Sequence, residues 1–266
     1  MKKYEELDIT DPFIFAKVMS EKELCKPLLE NILNIKIRDI VYVDYEETIQ
    51  MTVKSKGIRL DIYVEDENNT VFNLEMQTTA YKELPKRSRY YQGVIDLNMI
   101  EKGEPYDILK ESYVIFICTF DFFGKNKCIY EFENLCIDDC GIKLNDGTHK
   151  IFLNTKGDKK GINKELKSLL EYFDGKEPES DLTKQIDEKV IAVRKNTRWR
   201  REYMSLQMEM NLKYREGLKA GEAKGQENIN KLNTILLAEK RYDDLEKSAK
   251  DIEYQNKLMK EYKIIE

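Results

Sequence analysis

Apolar and polar residues alternate in two runs, Ile58 to Val64 and Thr70 to Gln77, on either side of the polar cluster Glu65-Asp66-Glu67-Asn68-Asn69. That is the pattern of a β-hairpin. Pairing about a centre near residue 68 sets Leu60 opposite Met76, Ile62 opposite Leu74 and Val64 opposite Phe72, an apolar face. The other face then carries Arg59 across from Gln77, Asp61 from Glu75 and Tyr63 from Asn73, because strand side chains alternate with period two.

The pattern on either side of the hairpin predicts an α/β sheet with a helix on each side. Thr10-Asp11-Pro12 supplies a capping residue and a first-turn proline, and the apolar positions from Phe13 to Leu33 give a helix or helix pair ending near Asn34. Ile40–Val43 reads as a short strand. Glu47–Lys54 reads as another, with Ile49, Met51 and Val53 on one face. Between Tyr81 and Gly103 lies a helix with Pro85 near its start and Gly103 past its end. Tyr113–Phe120 is continuously apolar, as expected of a strand buried on both faces and reached by a helical crossover.

Beyond residue 120, Cys128–Phe132 and Lys150–Leu153 are expected to add strands at the far edge, and Asn163–Phe173 to be helical. Asp174–Ser180 has linker composition. From Leu182 to about Gln226 the pattern is one long charged helix, with Tyr203, Leu206, Met210, Tyr214 and Leu218 forming a packing stripe and Gly217, Gly221 and Gly225 repeating every four residues. The expected organisation is a domain over residues 1–173, a linker over 174–181 and a helical region over 182–266.

Composition narrows the class. With 41% hydrophobic content in 266 residues the chain can bury one good-sized core. No apolar run approaches the roughly 20 residues that span a bilayer, and the start Met-Lys-Lys-Tyr-Glu-Glu lacks a secretory apolar segment. A cytoplasmic, membrane-free location is therefore expected. Five scattered cysteines suit a reducing compartment, and Cys128, Cys136, Cys140 and His149 match no ordinary zinc spacing. His149 sits in a Gly-Thr-His-Lys stretch that reads as a surface turn. A net charge of −5 argues against a protein coated in basic charge, though not against local basic patches. The most basic stretch, Arg194–Arg201, reads as a helix face paired with acids, with DNA-backbone contact as the alternative.

Chemistry enters through Asp61 and Glu75. Like charges directly across a strand pair are unfavourable unless something positive, most simply a divalent metal, lies between them. An ordinary solvated sheet face is the competing explanation. Gln77, two residues after Glu75 on the same face, adds a water-orienting group. Arg87 and Tyr91, four apart on the following helix, share a face that looks back at this polar side and suits phosphate contact. Their alternative is surface pairing and packing. Glu30, Glu46 and Glu47 are weak candidates for a third acid.

These residues, together with Asp11-Pro-Phe-Ile-Phe-Ala-Lys17, Arg59-Leu-Asp-Ile-Tyr-Val64, Asn73-Leu-Glu-Met-Gln77, Lys86-Arg-Ser-Arg-Tyr-Tyr91 and Gly103-Glu-Pro-Tyr106, resemble the recombination-promoting nuclease / putative transposase family of the PD-(D/E)XK nuclease superfamily. The resemblance covers roughly residues 8 to 160. It implies a restriction-endonuclease-like core, a mixed sheet flanked by helices, with a helical C-terminal extension. It also implies a metal-dependent DNA endonuclease linked to recombination or mobile elements. Asp61 and Glu75 match the motif's acids and would hold Mg²⁺ or Mn²⁺; Gln77 stands where the superfamily generally has lysine. Arg59 is expected to supply the charge that Gln77 lacks. The rival expectation is a catalytically silent nuclease fold that binds DNA or a protein partner through its helical tail, and the C-terminal helices also offer a route to a homo-oligomer.

Overall fold

The computed structural model describes residues 3–49 and 58–265, with side chains described outside residues 42–60. Two compact units divide the chain at Arg200/Arg201.

In the first unit, Asp11 caps helix α1 (Pro12–Met19), its carboxylate accepting from the N–H groups of Phe13 and Ile14, with proline in the first turn. Helix α2 (Lys22–Leu33) ends at Asn34, which turns left-handed at φ 53°. The apolar run is thus two helices. The two strands expected between residues 40 and 54 are instead one, β1 (Ile40–Ile49), because Asp44 and Tyr45 still pair with the neighbouring strand along the same ladder. Met51 and Val53 lie outside the described residues.

Strands β2 (Ile58–Asp66) and β3 (Val71–Gln77) form the hairpin. Ile62 pairs with Leu74, Tyr63 with Asn73 and Val64 with Phe72, the register centred on residue 68. The turn is built by Asp66, whose carboxylate accepts from Asn68 and Thr70, and by Asn69 at φ 60°. Helix α3 (Leu84–Met99) carries the chain across to β4 (Ser112–Cys118), parallel to β3. Strand β6 (Thr148–Asn154) lies parallel to β4, and β5 (Ile129–Phe132) pairs antiparallel at its outer side. Among the described residues the sheet has six strands in the order β1-β2-β3-β4-β6-β5.

Both sheet faces are covered. Ile62, Val64, Phe72, Leu74 and Met76 are buried on the side of α1. On the other, Tyr63, Val114, Phe116 and Phe152 form a core with Leu84, Tyr91, Val94 and Ile95 of α3. The hairpin's polar face is therefore not a solvated surface. The expected far-edge strands are present, and the β5–β6 edge is tightened where Gly157 meets the preceding loop. A Cβ added there would lie 2.4 Å from the carbonyl oxygen of Lys127, a backbone atom that cannot yield cheaply. Gly157→Ala is expected to lower stability by roughly 1–3 kcal/mol, measured by urea unfolding.

Helix α4 (Lys164–Phe173) is capped by Asn163, and α5 (Asp181–Lys195) packs on α1, α2 and α4 within the first unit. The single helix expected from Leu182 to Gln226 is broken at Asn196. Its side chain accepts from the N–H groups of Arg198 and Trp199 and starts helix α6 (Thr197–Ala238) afresh. Of the expected packing stripe, Tyr203 and Leu206 are half-buried, whereas Met210, Tyr214 and Leu218 are exposed. Glycines 217, 221 and 225 have nothing within 4 Å of an added Cβ. The second unit instead packs through Leu232 and Leu236 of α6 against Leu258 and Met259 of α8 (Ile252–Glu261), with Leu245 of α7 (Tyr242–Lys250) joining them. No described helix is long and apolar enough to cross a membrane.

Candidate active site at the end of the hairpin

Beyond the Ile62–Leu74 pair of the β2–β3 ladder, the carboxylates take over the backbone's partners. The Asp61 N–H donates to Glu75 Oε1 at 3.2 Å, and the Met76 N–H donates to Asp61 Oδ2 at 3.1 Å. Each acid thus reaches across to the other strand. Glu75 is 3% exposed and Gln77 7%, while Asp61 is half-buried.

Helix α3 closes the site from above. Its i, i+4 spacing aims Arg87 and Tyr91 at the same spot, as expected from the sequence. Arg87 donates to Gln77 Oε1 at 2.9 Å, to Glu75 Oε2 at 3.3 Å and to the Tyr91 hydroxyl at 2.8 Å. Its guanidinium also lies over the Tyr91 and Phe116 rings, 5.3 and 5.6 Å from their centroids. Gln77 is held at both ends, since its amide nitrogen donates to the Thr79 carbonyl at 2.8 Å. Asn73, with its amide nitrogen facing the acceptors, donates to Glu75 Oε1 at 3.3 Å and to the Ile62 carbonyl at 3.2 Å.

The electrostatics follow from this enclosure. Burial, and then the Asp61 charge, push the Glu75 carboxyl well above its ordinary pKa, outweighing Arg87. Burial works against the Arg87 charge, but Tyr91 and Glu75 hold its pKa above the usual value. The folded chain therefore holds the Glu75 proton more tightly than the unfolded chain does. That contribution to stability is fully present below the ordinary value of 4.5 and is lost as pH rises through the folded one. Without metal, Glu75→Gln should melt above wild type at pH 8, and the gap should close as pH falls toward 4.5; thermal melts in EDTA across that range check the sign.

The other sequence candidates are arranged differently. Arg59 lies in β2 opposite Thr48 of β1, and its side chain is outside the described ones, as are those of Glu46 and Glu47. Glu30 accepts from the Ile37 N–H at 2.9 Å and pairs with Lys36, so it serves the loop after α2. Lys17 is buried, its ammonium 5.2 Å from the Phe13 ring centroid. In the basic stretch, Arg200 pairs with Glu5 at 2.9 Å and Trp199 lies under Lys189, in keeping with a paired helix face. Cys128 is buried and Cys136 and Cys140 are exposed. His149 is not in a surface turn: it belongs to β6 and stacks on Tyr113, with ring centroids 4.4 Å apart.

The site is thus a two-carboxylate hairpin end, crossed by α3 and followed by the parallel strand β4. A family model for PD-(D/E)XK nuclease family transposases matches residues 12–224. The chain belongs to that family. No match was found among curated proteins, nor among solved structures. The family match takes in the whole sheet, α1 to α5 and the first part of α6, so the described acids and Arg87 all lie within it.

Proposed function

We propose that this chain is a divalent-metal-dependent DNA endonuclease acting in recombination or in the movement of genetic elements. The observation that supports the reading most is the pair Asp61 and Glu75, joined crosswise to each other's strands, with Glu75 buried beside a like charge. A hard cation fits this donor set, because two carboxylates from adjacent strands offer oxygen ligands whose repulsion a cation relieves. Asp61 and Glu75 would hold Mg²⁺ or Mn²⁺. When bound, such an ion supplies a water of lowered pKa and polarises the scissile phosphate.

The remaining residues have roles of their own. Arg87 brings a fixed positive charge to the site through contacts with Glu75 and Gln77, and Gln77 serves to align it. In this reading Arg87, whose guanidinium meets Glu75 and Gln77, carries a positive charge at the site, and Arg59 is kept as a second candidate for that role. Lys86, Arg89 and Tyr90, exposed on the same helix, suit contact with the DNA backbone.

One observation favours a second reading. Arg87 pairs with Glu75 at 3.3 Å, a contact that a silent nuclease fold binding DNA or a protein partner would keep in place of a cation. Supercoiled plasmid incubated with the protein in Mg²⁺, Mn²⁺ or EDTA separates the two: metal-dependent nicking supports the enzyme, and intact plasmid in every condition overturns it.

A further inference from the structure

A second cluster of metal-ligating side chains lies away from the hairpin acids. Glu131 of β5, Glu133 just beyond it and His149 of β6 offer ligand atoms that all lie within 4.8 Å of one another. Antiparallel pairing explains the grouping. Phe132 faces Lys150, so the next position, Glu133, faces His149, and Glu131 lies two residues back on the same face.

The histidine is set up as a ligand. Its Nε2 meets Glu111 Oε2 at 2.6 Å, so that nitrogen is engaged by the carboxylate and Nδ1 is the ring atom left to face a ligand. Nδ1 is buried with no hydrogen-bond partner, and it points to Glu133 Oε1 at 4.0 Å. The other Glu133 oxygen, Oε2, is fixed by Lys143 at 2.6 Å. Stacking on Tyr113 fixes the ring plane. A carboxylate behind a histidine whose other nitrogen faces further carboxylates is the outer-shell arrangement that orients metal-bound histidines. A cavity of about 130 Å³ bordered by Glu111, Glu133, Lys143 and His149 opens beside it.

This cluster is separate from the hairpin acids. His149 is the register partner of Tyr113, itself the partner of Phe72, so it shares the sheet face of Phe72 and not that of Glu75. It also lies three residues before Phe152, at the level of Glu75, or about 10 Å along the strands.

We propose that Glu131, Glu133 and His149 form a second divalent-metal site, selective for a borderline transition ion such as Zn²⁺ over Mg²⁺, with Glu111 orienting the histidine. One imidazole with two carboxylates suits Zn²⁺, whereas Mg²⁺ favours oxygen ligands alone. An ion there would clip the edge strand β5 to β6.

The test is Zn²⁺ titration of the full chain carrying Cys136→Ser and Cys140→Ser, so that exposed thiols do not compete, with Co²⁺ absorption as the spectroscopic readout. One tightly bound Zn²⁺ per chain is expected, apart from any weaker ion at the hairpin acids, with its affinity unchanged within about twofold by Asp61→Asn. Affinity should fall at least about tenfold in His149→Gln and Glu133→Gln, and about 10- to 100-fold in Glu111→Gln. Should His149→Gln fail to fold, Glu131→Gln, on an exposed side chain, decides with the same expected loss. Tight binding unchanged in these variants, or abolished by Asp61→Asn alone, overturns the proposal. Neither outcome depends on plasmid cleavage.

Discussion

Plasmid nicking in Mg²⁺ is expected to fall at least about 10³-fold in both Asp61→Asn and Glu75→Gln, while both proteins stay folded. A bound cation supplies several kcal/mol of transition-state stabilisation, and each ~1.4 kcal/mol is a factor of ten in rate. Losing a ligand therefore removes most of the catalysis. The amides are better probes than alanine here. Asp61→Ala would leave the buried Met76 N–H without its acceptor, and Glu75→Ala the Asp61 N–H, each at about 1–3 kcal/mol. An amide oxygen still accepts those bonds, so catalysis is separated from folding. Circular dichroism melts verify the fold. Nicking at wild-type rates in either variant would sink the assignment of these two acids.

The hairpin was the most legible part of the chain because its register admits no error. A slip of one residue would turn Ile62, Val64, Phe72 and Leu74 out of the core, so alternation alone fixes which residues face each other. The link to α3 was legible for a similar reason, since the four-residue spacing of Arg87 and Tyr91 is a property of any helix. What alternation does not reveal is which face is covered. The polar side of the hairpin reads equally well as solvated, and only the packing of α3 shows that Glu75 and Gln77 are enclosed.

Breaks without glycine or proline were also hard to read. At Asn196 the helical periodicity continues on both sides, and the break is made by a side chain that accepts two backbone N–H groups. The stripe of Met210, Tyr214 and Leu218 has helical spacing whether or not another helix packs on it, so spacing could not distinguish a buried stripe from an exposed one. His149 illustrates the opposite difficulty. Glu111, the pair Glu131 and Glu133, and His149 itself come from three segments that only the strand order β4-β6-β5 brings together.

Arg87→Ala should lower nicking by about 10²–10³-fold, the loss typical of removing one preorganised group that meets charge in the transition state. Arg87→Lys should recover only part of this. Lysine carries the charge but lacks the planar fork that lets Arg87 meet Gln77, Glu75 and Tyr91 together. If the site needs one positive charge near Glu75, its point of attachment can change. Gln77→Lys in the Arg87→Ala background restores the lysine of the general superfamily motif on the strand itself, and it is expected to regain at least about tenfold of the lost rate. The silent-fold reading predicts otherwise. There Arg87 stands in for the metal, so its removal would strengthen Mg²⁺ binding, seen as a larger thermal shift, and leave no nicking to recover. Measuring both the Mg²⁺-induced melting shift and plasmid nicking across wild type, the single variants and the double variant therefore tests what Arg87 does independently of whether the chain cuts DNA.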